Sequence, residues 1–281
     1  MNIRQPRSML FVSGEKVERF AKAMAAGADL VCIDLEDAVH PDRKDEARTQ
    51  VLGWLKDAVR SADGPGVALR INGLRTLDCL RDVLAFVASG ARVDWLLLPK
   101  AEHAGDVQAL EAWCGTQLGA IAALIETPLG IENAASLARA GGKLGALMLG
   151  GADLSAELDA RFDWEGLRYA RGRLVNAAKS AGLQAWDVPN VDLTSAESLA
   201  TETRNALALG FGCKTAIHPQ QIATIHAAFT PTAAEVEWAK LLLQAVPAGQ
   251  GSGAFLFQGK MVDAPLLKRA RRIAELAKAA S

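Results

Sequence analysis

The sequence predicts an α/β protein built as a (β/α)8 TIM barrel with a C-terminal helical lid extension, and three observations carry that expectation. Apolar runs of strand length recur eight times, seven of them are followed by a segment with helical apolar spacing, and the pattern changes after Pro219. Short continuous apolar runs mark strands buried on both faces, as in parallel sheets. An open doubly wound sheet shares this alternation, but a count of eight favours closure. No G-x-G-x-x-G follows the first run, as a dinucleotide fold would require.

The runs fall at 9–12, 30–35, 67–71, 95–98, 121–125, 146–149, 184–188 and 215–217. Helical spacing follows in segments such as VERFAKAMAAGA after the first run and AESLATETRNALALG after the seventh. Thr194 and Glu197 stand in capping-box spacing ahead of that seventh helix, and Gly210 and Gly212 close it. Beyond Pro219 come a helix with its own box, Thr232 to Glu235, a loop AGQGSGA, a short FLFQGKMVD segment and a basic amphipathic helix PLLKRARRIAELAKAA. No Lys-Ser or Lys-Thr follows the loop, so Gly249 to Gly253 reads as a hinge and not as a phosphate cradle. The segment is then a mobile lid, or a terminal helix docked on the barrel or on a neighbouring subunit. Residues 1–228 are expected to form the catalytic barrel and 229–281 the helical extension.

Composition excludes several function classes. Lys plus Arg is 31 and Asp plus Glu 32, so a net charge of -1 offers no field to gather nucleic acid or anionic lipid. Half the 281 residues are apolar, ample for a large core. The four cysteines, Cys32, Cys79, Cys114 and Cys213, form no C-x-x-C pair, which argues against a disulfide framework or thiolate zinc and fits a reducing cytoplasm. With Trp95 they read as core. The run at 9–12 is too short for a signal peptide, and no stretch has bilayer length, so a soluble cytoplasmic protein is expected.

In a barrel, chemistry gathers where strands end. The runs here end in Asp34-Leu35-Glu36-Asp37, Arg70-Ile71-Asn72, Pro99-Lys100, Glu126-Thr127-Pro128, Gly150-Gly151-Ala152-Asp153, Asp187 and His218-Pro219. Any one of these also reads as a turn or N-cap residue, Asp37 and Asp153 especially, but Arg70 and Glu126 are not favoured N-cap types. Glu126 and Asp153, on adjacent strands, make a pair of oxygen ligands for a hard cation. Mg2+ takes one or two carboxylates and completes its shell with water and substrate, and Mn2+ is a possible substitute. His40, His103, His218 and His226 lie apart without an H-E-x-x-H, which disfavours zinc. Glu36 and Asp37, beside Asp34, would crowd charge near such a metal unless they pair with a cation or act through water. Arg70 offers a planar fork for a carboxylate or enolate oxygen, or alternatively for a structural ion pair with the flanking acids.

The motifs R-S-M-L-F-V-x-G (7–14), V-C-I-D-L-E-D-A-V (31–39), L-R-I-N-G (69–73), L-L-P-K (97–100), I-E-T-P-L-G-I (125–131), G-G-A-D-L (150–154), K-x-A-I-H-P-x-Q (214–221) and G-K-M-V-D-A-P (259–265) span nearly the whole chain. On these the sequence resembles the citrate lyase beta subunit and malyl-CoA lyase family of CoA-thioester lyases, in the HpcH/HpaI aldolase superfamily. The resemblance implies a trimer or dimer of trimers and an enzyme that is a carbon-carbon lyase. Carried onto this chain, Glu126 and Asp153 look like Mg2+ ligands and Arg70 like the residue touching substrate at the developing enolate. Asp263 matches a general acid/base carried on a lid that reaches a neighbouring subunit. Arg7, Lys22, Ile217 and His218 fall where the family contacts CoA or substrate. Ser13, Ala152, Cys213 and Asn190 depart from the family's usual proline, acid, glycine and aromatic. Cys213 thereby bears on the CoA-binding loop and Asn190 on acyl preference.

The implied function is a Mg2+-dependent lyase. It cleaves or forms a carbon-carbon bond in a β-hydroxyacyl-CoA of the citramalyl-CoA, malyl-CoA or citryl-CoA type, giving acetyl-CoA and a 2-keto acid. The same scaffold admits an added synthase or thioesterase step, or an acyl group borne on a carrier protein. Two other readings stay open: a non-catalytic barrel that binds CoA or a dicarboxylate, and a metal-dependent 2-keto acid aldolase acting on free acids.

Overall fold

A computed structural model describes residues 5–58, 63–246 and 254–279; the hinge expected at Gly249 to Gly253 lies outside them. The chain divides into two compact units, Met1–Ile225 and His226–Ser281.

In the first unit β1 (Ser8–Ser13), β2 (Leu30–Asp34), β3 (Gly66–Arg70), β4 (Val93–Leu98), β5 (Leu118–Ile125), β6 (Leu144–Leu149), β7 (Gln184–Asp187) and β8 (Cys213–Ala216) form a closed barrel in sequence order. Closure is parallel, with Ser8, Met9 and Leu10 of β1 opposite Lys214, Thr215 and Ala216 of β8. Between the strands run α1 (Phe20–Met24), α2 (Lys44–Asp57), α3 (Leu77–Ser89), α4 (Ala104–Cys114), α5 (Pro128–Leu137), α6 (Gly151–Glu157), α7 (Arg168–Ser180) and α8 (Ala196–Leu209). The helix α9 (Gln221–Phe229) follows β8.

Each predicted run overlaps a strand, but β4, β5, β6 and β8 begin two or three residues early, and the runs on β2, β3, β7 and β8 end one residue past the strand. For β6 the reason is Gly145, which interrupts the apolar run. A Cβ there would stand 2.7 Å from the Trp95 ring, so the glycine makes room for one of the two tryptophans of the barrel interior. Trp95 meets Trp186 with ring centroids 4.6 Å apart, and the Trp186 indole N–H donates to Gln184 Oε1 at 2.9 Å. The cap of α8 is Ser195, which accepts from the Ser198 N–H, whereas Thr194 donates to Asp192. Gly210 closes that helix in the left-handed region, as expected. All four cysteines are buried and unpaired.

Strand parity then fixes what points into the barrel mouth. Met9, Cys32, Ala68, Leu97, Leu124 and Met148 belong to the interior cluster. Side chains alternate along a strand, so the residues two places on face the same way. Those residues are Phe11, Asp34, Arg70, Pro99, Glu126 and Gly150. The barrel is thus apolar through its body and charged at its carboxyl-end layer.

The second unit contains α10 (Ala233–Gln244), the hairpin β9 (Phe255–Phe257) and β10 (Lys260–Val262), and α11 (Ala264–Ala279). Thr232 and Glu235 form the expected capping box of α10. Gln258 and Gly259, at φ 47° and 74°, supply the two left-handed residues of a tight hairpin turn. Ala239, Leu242, Val262, Leu267, Ala270 and Ile273 form its core. Among the described residues no helix is long and apolar enough to cross a membrane.

Candidate active site

Asp34 and Arg70 end β2 and β3 as register partners. The buried Asp34 carboxylate takes both arms of the guanidinium, Nε donating to Oδ1 at 2.8 Å and Nη2 to Oδ2 at 2.5 Å. The remaining nitrogen, Nη1, lies 2.9 Å from Glu36 Oε2 and 3.4 Å from Asp37 Oδ2. The Phe11 ring lies under the guanidinium, 5.2 Å from centroid to Cζ. Burial works against the charge on Arg70, but Asp34, Glu36 and Asp37 outweigh it and raise its pKa. Arg70 therefore makes the structural ion pair with its flanking acids that was the alternative reading of its fork, and it does so at the barrel mouth.

Glu126 follows β5, buried, and its Oε1 accepts the Lys100 backbone N–H at 2.8 Å. Lys100 stands in the left-handed region at φ 52°, just past β4. Its Nζ lies 3.1 Å from Asp153 Oδ2 and 3.9 Å from Glu36 Oε1. One residue thus ties together the two carboxylates proposed as ligands, so Glu126 and Asp153 share a side of the mouth. Gly150 permits this, because a Cβ there would sit 2.3 Å from Glu126 Oε2. Asp153 lies in the first turn of α6, whose N-cap is Gly150, so neither Asp153 nor Asp37 is an N-cap residue.

Electrostatically the cluster is short of positive charge. Five carboxylates, of Asp34, Glu36, Asp37, Glu126 and Asp153, face the two cations Arg70 and Lys100. Burial, then Glu36 and Asp153, push the Glu126 carboxyl up to about 8. Burial also lifts Glu36, to about 7, against the pull of Arg70 and with the help of Asp37 and Asp34. The buried Glu36 Oε2 accepts no hydrogen bond, although Arg70 Nη1 is close: the two are an ion pair without an aligned N–H. Such a set of hard oxygens fits a divalent cation. Among the described residues no three His, Cys, Asp or Glu side chains converge tightly enough to hold an ion alone. A cation at Glu126 and Asp153 would complete its shell from water and substrate, the habit of Mg2+.

Ile217 and His218 follow β8 on the same rim. Both backbone N–H groups donate to Gln221 Oε1, at 2.9 and 3.2 Å, and Gln221 Nε2 donates to the Asn190 carbonyl at 2.7 Å. Asp263 is exposed at the start of α11, where its Oδ1 accepts the Leu266 N–H at 3.4 Å.

One expected contact is corrected. Arg7 precedes β1, at the opposite end of the barrel from the acid cluster, where Asp29 accepts its Nε, Nη2 and backbone N–H. It seals the amino-end seam, since its carbonyl also accepts the Lys214 N–H. Lys22 is exposed on α1 and makes no hydrogen bond or ion pair among the described residues, which leaves its ammonium open to a ligand. Cys213 begins β8 inside the interior cluster, away from the rim loops, and Asp187 is consumed by a buried ion-pair network. Residue reasoning missed the roles of Lys100, Phe11 and Gly150. Only the Pro-Lys and Gly-Gly pairs at strand ends hinted at them.

Comparison with known proteins agrees with this fold. A family model described as HpcH/HpaI aldolase/citrate lyase matches residues 7–219, and one described as C-C bond lyase of the TIM-barrel fold matches 170–280. The chain is 34% identical to the citrate lyase subunit beta of Haemophilus influenzae, covering 97% of each. It is 32% identical to the mitochondrial citramalyl-CoA lyase of Rattus norvegicus, over 96% of this chain and 86% of that one. Among solved structures, CitE from Mycobacterium tuberculosis in complex with magnesium, acetoacetate and coenzyme A superposes with a TM-score of 0.83. The two are 34% identical over 98% of this chain and 99% of that one.

Proposed function

The chain belongs to the HpcH/HpaI aldolase/citrate lyase family, and from that premise we propose that it is a Mg2+-dependent carbon-carbon lyase acting on a β-hydroxyacyl-CoA thioester. The substrate is of the citramalyl-CoA, malyl-CoA or citryl-CoA type, and the products are acetyl-CoA and a 2-keto acid. The observation that carries this reading is the shortage of positive charge at the barrel mouth, with Glu126 and Asp153 joined through Lys100.

Glu126 and Asp153 would hold the Mg2+, with Glu36 and Asp37 acting on the site through their pairing with Arg70 and Lys100. When bound, the ion supplies Lewis acidity to the hydroxyl and carboxylate oxygens of the keto-acid half. Arg70 steadies the thioester enolate oxygen left by cleavage, a role for which the grip of Asp34 orients the guanidinium before substrate arrives. Asp263, carried on the C-terminal extension of a neighbouring subunit, exchanges the proton at the methyl carbon of the acetyl group; its one side-chain hydrogen bond among the described residues is long and leaves the carboxylate available. Ile217 and His218, braced by Gln221, contact the CoA portion. Assembly as a homotrimer or dimer of trimers belongs to the same proposal.

The test is release of pyruvate, glyoxylate or oxaloacetate from the synthetic thioesters. Release from at least one, abolished by a chelator, is expected. Turnover that survives in Glu126→Ala or Asp153→Ala would overturn the metal assignment. Cleavage of the free acids without CoA would overturn the substrate class.

A further inference from the structure

A lysine at the start of a helix stands against the helix dipole, whose positive end favours acids there. Lys44 begins α2 all the same, with Asp45 and Glu46 behind it in the first turn, and its tertiary contacts explain why. Its ammonium has three protons and meets three acceptors: the Leu35 and Glu36 carbonyls, each at 2.7 Å, and Asn72 Oδ1 at 2.8 Å. Asn72, buried just past β3, donates from Nδ2 to the same Leu35 carbonyl at 3.1 Å and to Asp82 Oδ2 at 2.7 Å. Its backbone N–H donates to that Asp82 oxygen as well, at 2.9 Å. Asp82, on the buried side of α3, takes Arg48 Nε at 2.6 Å on its other oxygen. Four side chains, from α2, α3 and the end of β3, thus tie down the turn that carries Glu36.

The Glu36 carboxylate does not fix itself. Its Oε2 accepts no hydrogen bond and Lys100 Nζ stands 3.9 Å from Oε1, so the backbone decides where this charge sits. The place matters to the site, because Glu36 faces Arg70 Nη1 at 2.9 Å and is among the charges that raise the Glu126 carboxyl. We propose that Lys44 is a positioning residue: through the Leu35 and Glu36 carbonyls it holds the Glu36 charge against Arg70 and beside Glu126, a role that rests on Glu126 and Asp153 being the Mg2+ ligands. A water molecule could not stand in for it. Water offers two protons and no charge, whereas the ammonium satisfies all three acceptors at once.

A double-mutant cycle on the full-length protein tests this, with Mg2+ affinity read by calorimetry and thioester cleavage as the second readout. Lys44→Met keeps the length of the side chain and removes the ammonium. It is expected to weaken Mg2+ binding about tenfold and to lower kcat by a similar factor with KM little changed, since Arg70 acts on the enolate. Glu36→Gln should do the same, and adding Lys44→Met to it should cost nothing further in either readout. If Lys44→Met fails to fold by circular dichroism, Lys44→Arg takes its place in the cycle. A planar fork cannot converge on three acceptors set around one ammonium, so a smaller loss that again vanishes beside Glu36→Gln is expected. Unchanged Mg2+ affinity in the folded lysine variant, or an equal loss in both backgrounds, would overturn the proposal. A wild type that binds no Mg2+ overturns the metal assignment and this role with it. One that binds Mg2+ but cleaves no thioester overturns the substrate class alone, and the calorimetric cycle still decides the role of Lys44.

Discussion

Two of the charge clusters among the described residues, one beside β7 and β8 and one at the barrel mouth, differ in balance. Between β7, β8, α7 and α8, Lys214 Nζ donates to Asp187 at 2.7 Å and to Glu202 at 2.6 Å, and Arg171 Nε donates to Asp187 at 2.9 Å. Asn190 Nδ2 takes the other Glu202 oxygen at 2.7 Å. Two acids meet two cations. At the mouth, over β2 to β6, five acids meet two cations, and Glu36 Oε2 accepts no hydrogen bond. A matched cluster has no use for an additional ion, and its residues are explained by stability. An unmatched one holds its charges together only with help, and so marks where a cation and an oxygen-rich substrate fit. Burial alone does not separate the two, since Asp34, Glu126, Asp187 and Lys214 are all buried.

The largest effect should come from unbalancing the matched cluster. Lys214→Met leaves Asp187 and Glu202 short of a buried partner, and a loss of about 3–5 kcal/mol in denaturant unfolding is expected, the same with or without Mg2+. Asp153→Asn should act in the opposite sense: a fall of about 10²–10³ in kcat, or roughly 3–4 kcal/mol of barrier, with the fold intact. In thermal melts it should also erase any stabilisation by Mg2+, since a ligand stabilises only the state that binds it. If the melts of Asp153→Asn and wild type respond equally to Mg2+, the contrast between the clusters is wrong. A smaller structural effect is expected from Gly150→Ala. Its Cβ would meet Glu126 and force that side chain aside, with a cost of about 1–3 kcal/mol and weaker Mg2+ binding by calorimetry. The smallest belongs to Lys100→Met. Lys100 is half exposed, so metal-free stability should fall by about 1 kcal/mol or less, while the Mg2+-induced rise in melting temperature grows because the ammonium no longer offsets the carboxylates.

Much of this was legible in the residues. Apolar runs bounded by polar strand ends located all eight strands, because a strand buried on both faces has little choice of composition. The starts of β5 and β6 were less legible because Gly119 and Gly145 look like breaks, and at Gly145 only the facing Trp95 ring explains the residue. The α8 cap lay one residue away from the predicted one, since Thr194 and Ser195 are chemically equivalent as caps and the turn at Asp192 decides between them. Within the site, Arg70, Glu126 and Asp153 were visible as charged residues where strands end. Arg7 was misjudged because a motif gives order along the chain but not which end of a strand a residue occupies.

By itself the sequence determined the alternation of strand and helix, the family, and the acid-rich composition of one barrel end, since these rest on periodicity and residue type. Tertiary structure alone decided which charges neutralise one another. Asp34 and Asp187 are both aspartates at strand ends, yet one grips Arg70 beside an excess of carboxylate while the other is buried in a matched set. Electrostatic interaction falls with distance through space, and in a closed barrel that distance is set by register and closure, which separation along the chain does not encode.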